Sequence, residues 1–141
     1  MRSSLLVLLV VARVAAADPV PQYSIWVGSY VCSQGLTHLR LTIETKQGGG
    51  AAFGHFEFGP HESNKSVPNG HYWMKGSMRA GADGRLEVVL RPERWALQPK
   101  GYVMVGLTAT TDREQHTLAG HIDYPGCTTL TVERVGAEAA N

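Results

Sequence analysis

The sequence has few cysteines and almost no net charge, and each of these two features argues against particular classes of protein. The two cysteines lack a C-x-x-C spacing, so they form no zinc motif, and nothing places a base beside either thiol for nucleophilic catalysis. The 13 basic residues nearly balance the 12 acidic residues among 141. This balance excludes a strongly basic nucleic-acid binder and a charged disordered tail, and the length predicts one domain.

Long hydrophobic runs are also scarce. The one clear run, residues 5–12, follows Arg2 and precedes the small residues 15–17. A charged start, a short apolar middle and a small-residue end predict a secretory signal peptide over residues 1–17, with a buried N-terminal helix as the alternative. The run is too short to span a bilayer. We therefore expect no membrane span and a secreted or periplasmic domain over residues 18–135, followed by a flexible tail over 136–141.

Export gives the cysteine pair a meaning. In an oxidising compartment Cys32 and Cys127 should form a disulfide, the alternatives being two free buried thiols or half of a metal site. The bond would close a loop of about 95 residues, and the chain-entropy treatment gives such a loop roughly 4–5 kcal/mol.

Short alternating hydrophobic runs follow one another along the chain, and no window of a dozen residues has helical periodicity. Leu39, Leu41 and Ile43 show the alternation clearly, with Arg40 and Thr42 on the other face. The pattern predicts eight strands, at 24–32, 37–46, 51–58, 71–79, 85–90, 102–110, 116–123 and 128–135. Residues 92–96, which begin with a proline, could form a single helical turn.

Eight short strands predict an all-β fold, either a small antiparallel up-and-down barrel or a β-sandwich. In such a barrel the first and last strands are neighbours, so Cys32 and Cys127 would lie together at the closing seam. Glycine, with 16 residues, is unusually frequent. Sharp curvature would explain the glycines that fall inside predicted strands; these are Gly28, Gly54, Gly76, Gly106 and Gly120.

The connections after odd-numbered strands should share one end of the barrel, and two of them, residues 59–70 and 91–101, are long. Long loops on a rigid scaffold are common binding sites. We predict that these loops bind a protein or a glycan, because a tryptophan among cations and amides is typical of a contact surface. The alternative for Trp95 is a hydrophobic plug over the barrel mouth. The candidate binding residues are His61, Asn64, Asn69, Arg91, Arg94, Trp95 and Lys100.

The six histidines show no diagnostic metal-ligand spacing. His55 and Glu57 share one face of a strand and His71 borders the next loop, so a site is geometrically conceivable, but solvent-facing histidines are the favoured interpretation. No G-x-S-x-G elbow or functional carboxylate pair is present. We therefore predict a non-catalytic protein with no metal and no cofactor.

Several segments carry a resemblance. The run W-V-G-S-Y-V-C-S-Q-G-L-T at 26–37, then V-P-N-G at 67–70, P-K-G-Y at 99–102 and the late Cys127 resemble a group of small exported bacterial β domains of uncharacterised function. This resemblance implies an extracytoplasmic module and transfers no active site. The opening Trp-x-Gly-x-Tyr is more distantly similar to the calycin superfamily and to periplasmic lysozyme inhibitors, although the G-x-W order of lipocalins is missing.

The predicted function is thus a monomeric, extracytoplasmic binding module that takes a protein or glycan partner and no nucleic acid. Two alternatives follow from the calycin-like resemblance: a carrier of a small apolar ligand inside the barrel, and an inhibitor of a cell-wall hydrolase. A metal-dependent hydrolase that uses the histidines is a third. Bulky candidates for the barrel interior, such as Phe56, Tyr72 and Met74, favour a filled interior over a carrier.

Overall fold

The structure, a computed structural model, describes residues 9–12 and 20–136. Most of the predicted signal peptide and the tail beyond Gly136 lie outside the described residues. The described part is all-β and contains no helix that could cross a membrane. Its eight strands are β1 (Tyr23–Cys32), β2 (Gly35–Thr45), β3 (Gly50–Gly59), β4 (Gly70–Ala80), β5 (Leu86–Leu97), β6 (Gly106–Thr111), β7 (Thr117–Asp123) and β8 (Thr129–Arg134).

The strands form where hydrophobic and polar residues alternate. In β2 the side chains of Leu39, Leu41 and Ile43 are fully buried, whereas Arg40 and Glu44 between and beyond them are exposed. A strand directs successive side chains to opposite faces, so this pattern turns one face of each strand toward the core and the other toward water.

Each strand pairs antiparallel with the next along the chain, and β1 pairs with β8, so the sheet is a closed barrel. The predicted eight-stranded up-and-down barrel is confirmed, and the β-sandwich alternative is excluded. Closure leaves the sheet without a first and a last edge strand, which removes a common route to aggregation.

The closing seam pairs Trp26 with Arg134 at one end and Tyr30 with Leu130 at the other. Beyond the second pair, the amide of Thr128 donates a hydrogen bond of 2.9 Å to the carbonyl of Val31. The predicted disulfide between Cys32 and Cys127 is present at this end of the seam.

Side chains fill the interior of the barrel. Those with almost no exposed surface come from every strand, so the core is one continuous cluster. Two aromatic rings lie at its centre, where Phe56 stacks on Tyr72 with centroids 4.8 Å apart. The largest of the other buried side chains are Trp26, Leu39, Leu41, Ile43, Met74, Met78, Leu86, Leu90, Leu107 and Leu118.

The prediction was wrong where β5 ends. Residues 91–97 belong to this strand and not to a loop, and the helical turn expected at 92–96 is absent. The register against β4 shifts twice, between His71 and Tyr72 and between Trp73 and Met74. Because β6 pairs with β5 only as far as Leu90, Pro92 lies where one side of the strand is an edge, and an edge tolerates proline. The following strand starts later than predicted, at Gly106.

The two ends of the barrel differ. The connections after even-numbered strands, at 46–49, 81–85 and 112–116, are short. At the opposite end lie the disulfide and the connections 33–34, 60–69, 98–105 and 124–128, which we call the clasp end. The predicted asymmetry of loop length is therefore present, although the second long connection runs from 98 to 105.

Some strand glycines permit a close approach of neighbouring backbones. Gly28 lies two residues from buried Trp26 and Tyr30, and Gly76 lies two residues from buried Met74 and Met78. A Cβ at either glycine would collide with the carbonyl oxygen of the adjacent strand, that of Thr131 or Val89. The space that a side chain would need is occupied by main chain, which moves only with the whole strand. These glycines therefore permit the tight packing of the wall.

We predict that Gly76→Ala lowers the free energy of unfolding by about 1–3 kcal/mol, the usual cost of overpacking, because the added Cβ meets backbone. Gly81→Ala is the matched control: the nearest atom to its Cβ would be 3.5 Å away, so stability should stay within about 0.5 kcal/mol of wild type. Urea unfolding of the two variants measures the difference. Equal stabilities would contradict the close approach.

Candidate functional site

An open cleft of about 320 Å³ lies at the clasp end, beside the disulfide. Segments from three connections and the end of β1 form it, so the barrel closure itself assembles the site. The lining residues are Tyr30, Cys32, Ser33, Gln34, Gly101, Tyr102, Val103, Val105, Tyr124 and Cys127.

The floor of the cleft includes a buried tyrosine. The ring of Tyr30 packs edge-on against Phe56 with centroids 5.1 Å apart, which joins the cleft to the core. Gln34 Nε2 donates to the Tyr30 hydroxyl at 3.4 Å and to Thr37 Oγ1 at 3.1 Å. Burial raises the pKa of the Tyr30 phenol, so the group stays neutral and keeps its hydroxyl proton as a donor.

The β5–β6 connection forms one wall of the cleft, and ring stacking and hydrogen bonds hold it in place. Tyr102 stacks on Phe58 with centroids 5.5 Å apart, and its amide donates to the carbonyl of Pro99 at 3.2 Å. Gln98 Nε2 donates to the Tyr102 carbonyl at 3.1 Å. The connection is thereby fixed, and it presents Val103, half of whose surface is exposed, to solvent.

The β7–β8 connection supplies Tyr124 to the cleft. This residue is 44% exposed, a large value for an aromatic residue. The backbone around it is closed by a hydrogen bond of 3.1 Å from the amide of Cys127 to the carbonyl of Tyr124. The disulfide and this turn together place an aromatic ring at the rim without burying it.

Among the predicted residues, Asn64 has a structural role next to the cleft. Its Nδ2 group donates to the carbonyls of Gln34 at 2.7 Å and of Leu36 at 3.1 Å. These bonds attach the β3–β4 connection to the β1–β2 turn. Asn64 therefore orients two segments of the clasp end, including the backbone of a cleft residue.

Three further predicted residues lie on clasp-end connections outside the cleft lining. His61 Nδ1 accepts a hydrogen bond of 3.1 Å from the amide of Ser63, which shapes the exposed loop tip. Asn69 and Lys100 are exposed, and Lys100 directly precedes Gly101 of the cleft. The clasp end thus brings these residues to one end of the barrel, as predicted.

Arg91 and Arg94 lie elsewhere. Both belong to β5, where Arg91 pairs with Lys75 and Arg94 with Trp73 on the outer wall. The structure does not bring them to the cleft. The prediction of a binding loop over residues 91–101 is wrong for these two residues, because they belong to a strand.

Trp95 adopts the alternative position, that of a plug. It pairs with Tyr72 and packs edge-on against the rings of Tyr72 and Phe58, with centroids 5.1 Å and 6.2 Å away. It is only partly exposed and packs on the core cluster. Its ring therefore covers part of the hydrophobic core near the barrel mouth.

Sequence reasoning missed most of the cleft. Tyr102 and Tyr124 were not singled out, although each is next to a glycine or proline of a turn, where an aromatic residue without an alternating pattern is a usable signal. Tyr30 and Gln34 gave no comparable signal, because only the closure of the barrel brings them against the late part of the chain.

A second cluster lies on the outer wall of β3 and β4. The histidines were expected to be scattered, but His55 Nε2 and His71 Nδ1 are 2.8 Å apart. The ring of His55 stacks on Trp73 at 4.3 Å, and its Nδ1 lies 3.7 Å from Glu57 Oε2. Burial lowers the pKa of His55, with the neighbouring His71 and Arg40 contributing in the same direction and Glu57 opposing.

Fold and site define the class of protein as a filled, eight-stranded up-and-down barrel with an open cleft at its disulfide end. Within residues 9–12 and 20–136, no three His, Cys, Asp or Glu side chains converge as a metal-binding group. No protein-family model matches the chain, and no curated protein matches its sequence.

Alanine substitutions of Trp95 and of Arg94 should have different effects on the stability of the fold. We predict that Trp95→Ala lowers the free energy of unfolding toward the lower end of the roughly 3–5 kcal/mol range for buried tryptophan, because it uncovers Tyr72 and Phe58. Arg94→Ala, on the outer wall, should change it by less than about 0.5 kcal/mol. Thermal and urea unfolding measure both. A Trp95→Ala protein as stable as Arg94→Ala would contradict the plug.

Proposed function

We propose that the protein is a non-catalytic binding module, in which the cleft at the clasp end takes up an uncharged group of a protein or glycan partner. The observation that carries this proposal is the combination of an open, preformed cleft with exposed Tyr124 and Val103 at its rim. Concave sites with aromatic walls and a few polar groups are the usual form of binding sites.

The chemistry of the lining supports an uncharged ligand group. The described side chains that line the cleft carry no formal charge, and three of them are tyrosines. A tyrosine ring offers an apolar face together with a hydroxyl, so it can stack on a sugar ring or on a partner side chain and also donate a hydrogen bond. The Gln34 amide, already directed at Tyr30 and Thr37, adds polar atoms at the same place.

The rigidity of the site favours binding. Asn64 attaches one connection to its neighbour, and the stacking of Tyr102 on Phe58 holds another. A preformed site loses less side-chain and loop entropy when a ligand binds. The packed interior gives no support to the carrier alternative, since Phe56, Tyr72 and Met74 occupy the place of a ligand.

The proposal includes an extracytoplasmic location. The disulfide between Cys32 and Cys127 is consistent with an oxidising compartment, where such bonds form and persist. The apolar run at residues 5–12 supplies the second argument, that of a signal peptide.

The cleft is tested with the double variant Val103→Ser/Tyr124→Ala. Both side chains are about half exposed, so the fold should tolerate the changes. We predict that retention of ligands on a glycan array, or of proteins captured from an exported fraction, falls at least about tenfold, the loss of one hot spot.

Tyr23→Ala is the matched control. Tyr23 is 49% exposed but begins β1, at the opposite end of the barrel. It should retain wild-type binding. If the double variant and the control bind every partner as the wild type does, the cleft is not the binding site. The array and the capture experiment separately decide between a glycan and a protein.

A further inference from the structure

The outer wall of the barrel carries a compact cluster that the proposed binding cleft does not use. Across β2, β3, β4 and β5 the register places Arg40, Glu57, His71 and Leu97 in one row. The next row contains Thr42, His55, Trp73 and Arg94. His55 and His71 are thus diagonal neighbours on adjacent strands, on the face directed away from the core.

We propose that His55 and His71 together bind one divalent transition-metal ion, with copper(II) as the preferred ion. Imidazole nitrogen is a favoured ligand of copper, nickel and zinc. His55 Nε2 and His71 Nδ1 are the nitrogens that face each other, 2.8 Å apart. In the metal-free protein this contact is a hydrogen bond, and the metal ion would replace its proton.

The separation of the nitrogens allows both of them to reach one metal ion. Two nitrogens each about 2.0 Å from a metal are about 2.8 Å apart when they subtend a right angle, and about 3.3 Å apart at the tetrahedral angle. The observed 2.8 Å is the length of the hydrogen bond in the metal-free protein, and it shows that the two nitrogens are close enough to share one ion at either angle. A bound ion would lie off the line that joins the nitrogens, so the rings would adjust about their terminal torsions, which are broad in histidine.

The surroundings of His55 include a carboxylate and an aromatic ring. The second nitrogen of His55, Nδ1, lies 3.7 Å from Glu57 Oε2, which is longer than a hydrogen bond, so the carboxylate contributes a negative charge beside the site. Trp73 stacks on the other side of the ring at 4.3 Å.

Two of the nearby cations are paired with carboxylates. Arg40 Nε lies 3.6 Å from Glu57 Oε2, and Lys75 Nζ lies 3.4 Å from Glu93 Oε1. These contacts reduce the repulsion that a bound cation would meet. Two protein ligands leave the remaining equatorial positions to water or to a donor group from another molecule.

The test titrates copper(II) into untagged full-length protein, followed by calorimetry and by electron paramagnetic resonance. We predict one equivalent of bound ion with hyperfine splitting from two nitrogens. His55→Asn and His71→Asn should each weaken binding at least about tenfold and remove the two-nitrogen pattern. Zinc(II) should bind more weakly than copper(II), because nitrogen ligands generally bind copper(II) more tightly than the other divalent ions of the first transition row.

His121→Asn is the control, since His121 is an exposed histidine on the wall of β7, and it should bind as the wild type does. The amide spectrum of each variant verifies that it is folded. If the His55→Asn variant does not fold, the copper affinity of the His71→Asn variant provides the test. Absence of saturable one-to-one binding at micromolar copper would overturn the proposal. Wild-type affinity in either folded variant would also overturn it.

Discussion

The pairing of β1 with β8 is the constraint on which the rest of the structure depends. Only this seam turns a meander of seven hairpins into a barrel, and only a barrel gives every inward side chain a neighbour across the interior. The disulfide between Cys32 and Cys127 lies at one end of the seam. A bond across so long a loop stabilises the fold mainly by restricting the unfolded chain, by roughly 4–5 kcal/mol in the entropic treatment. Glycines at close approaches, such as Gly28 against β8, let the backbones come together.

Closure also determines where ligands could bind. Because side chains such as Phe56 and Tyr72 fill the interior, the barrel offers its mouth and its outer wall instead. The mouth at the clasp end has a cleft because the start and the end of the chain meet there, Tyr30 from β1 with Tyr124 from the last connection. The outer wall has the histidine pair because a diagonal on neighbouring strands brings two rings together. The two proposals use different surfaces and can fail independently.

The sequence was sufficient for the architecture and insufficient for the site. Alternation such as Leu39, Leu41 and Ile43 is a local signal, so strand number, closure and the disulfide could be predicted. Residues 91–97 were misassigned because their strand contains Pro92 and two register shifts, which depend on pairing with β4 and not on local pattern. The same shifts decide which face of the barrel each side chain takes, so the local pattern does not predict that Trp95 faces the core and Arg94 faces solvent. The contact between His55 and His71 depends on the register of β3 against β4, and no local sequence pattern predicts that register.

Native-state hydrogen exchange at the seam tests the closed barrel most directly. The amide of Thr128 donates to the Val31 carbonyl at 2.9 Å and that of Val135 to the Ile25 carbonyl at 2.8 Å, so these bonds flank the seam at both ends. The account predicts that both amides of the oxidised protein exchange far more slowly than in an unfolded chain. If both exchange at unfolded rates while amides of β3 and β4 stay protected, the sheet is open, and the central claim is contradicted.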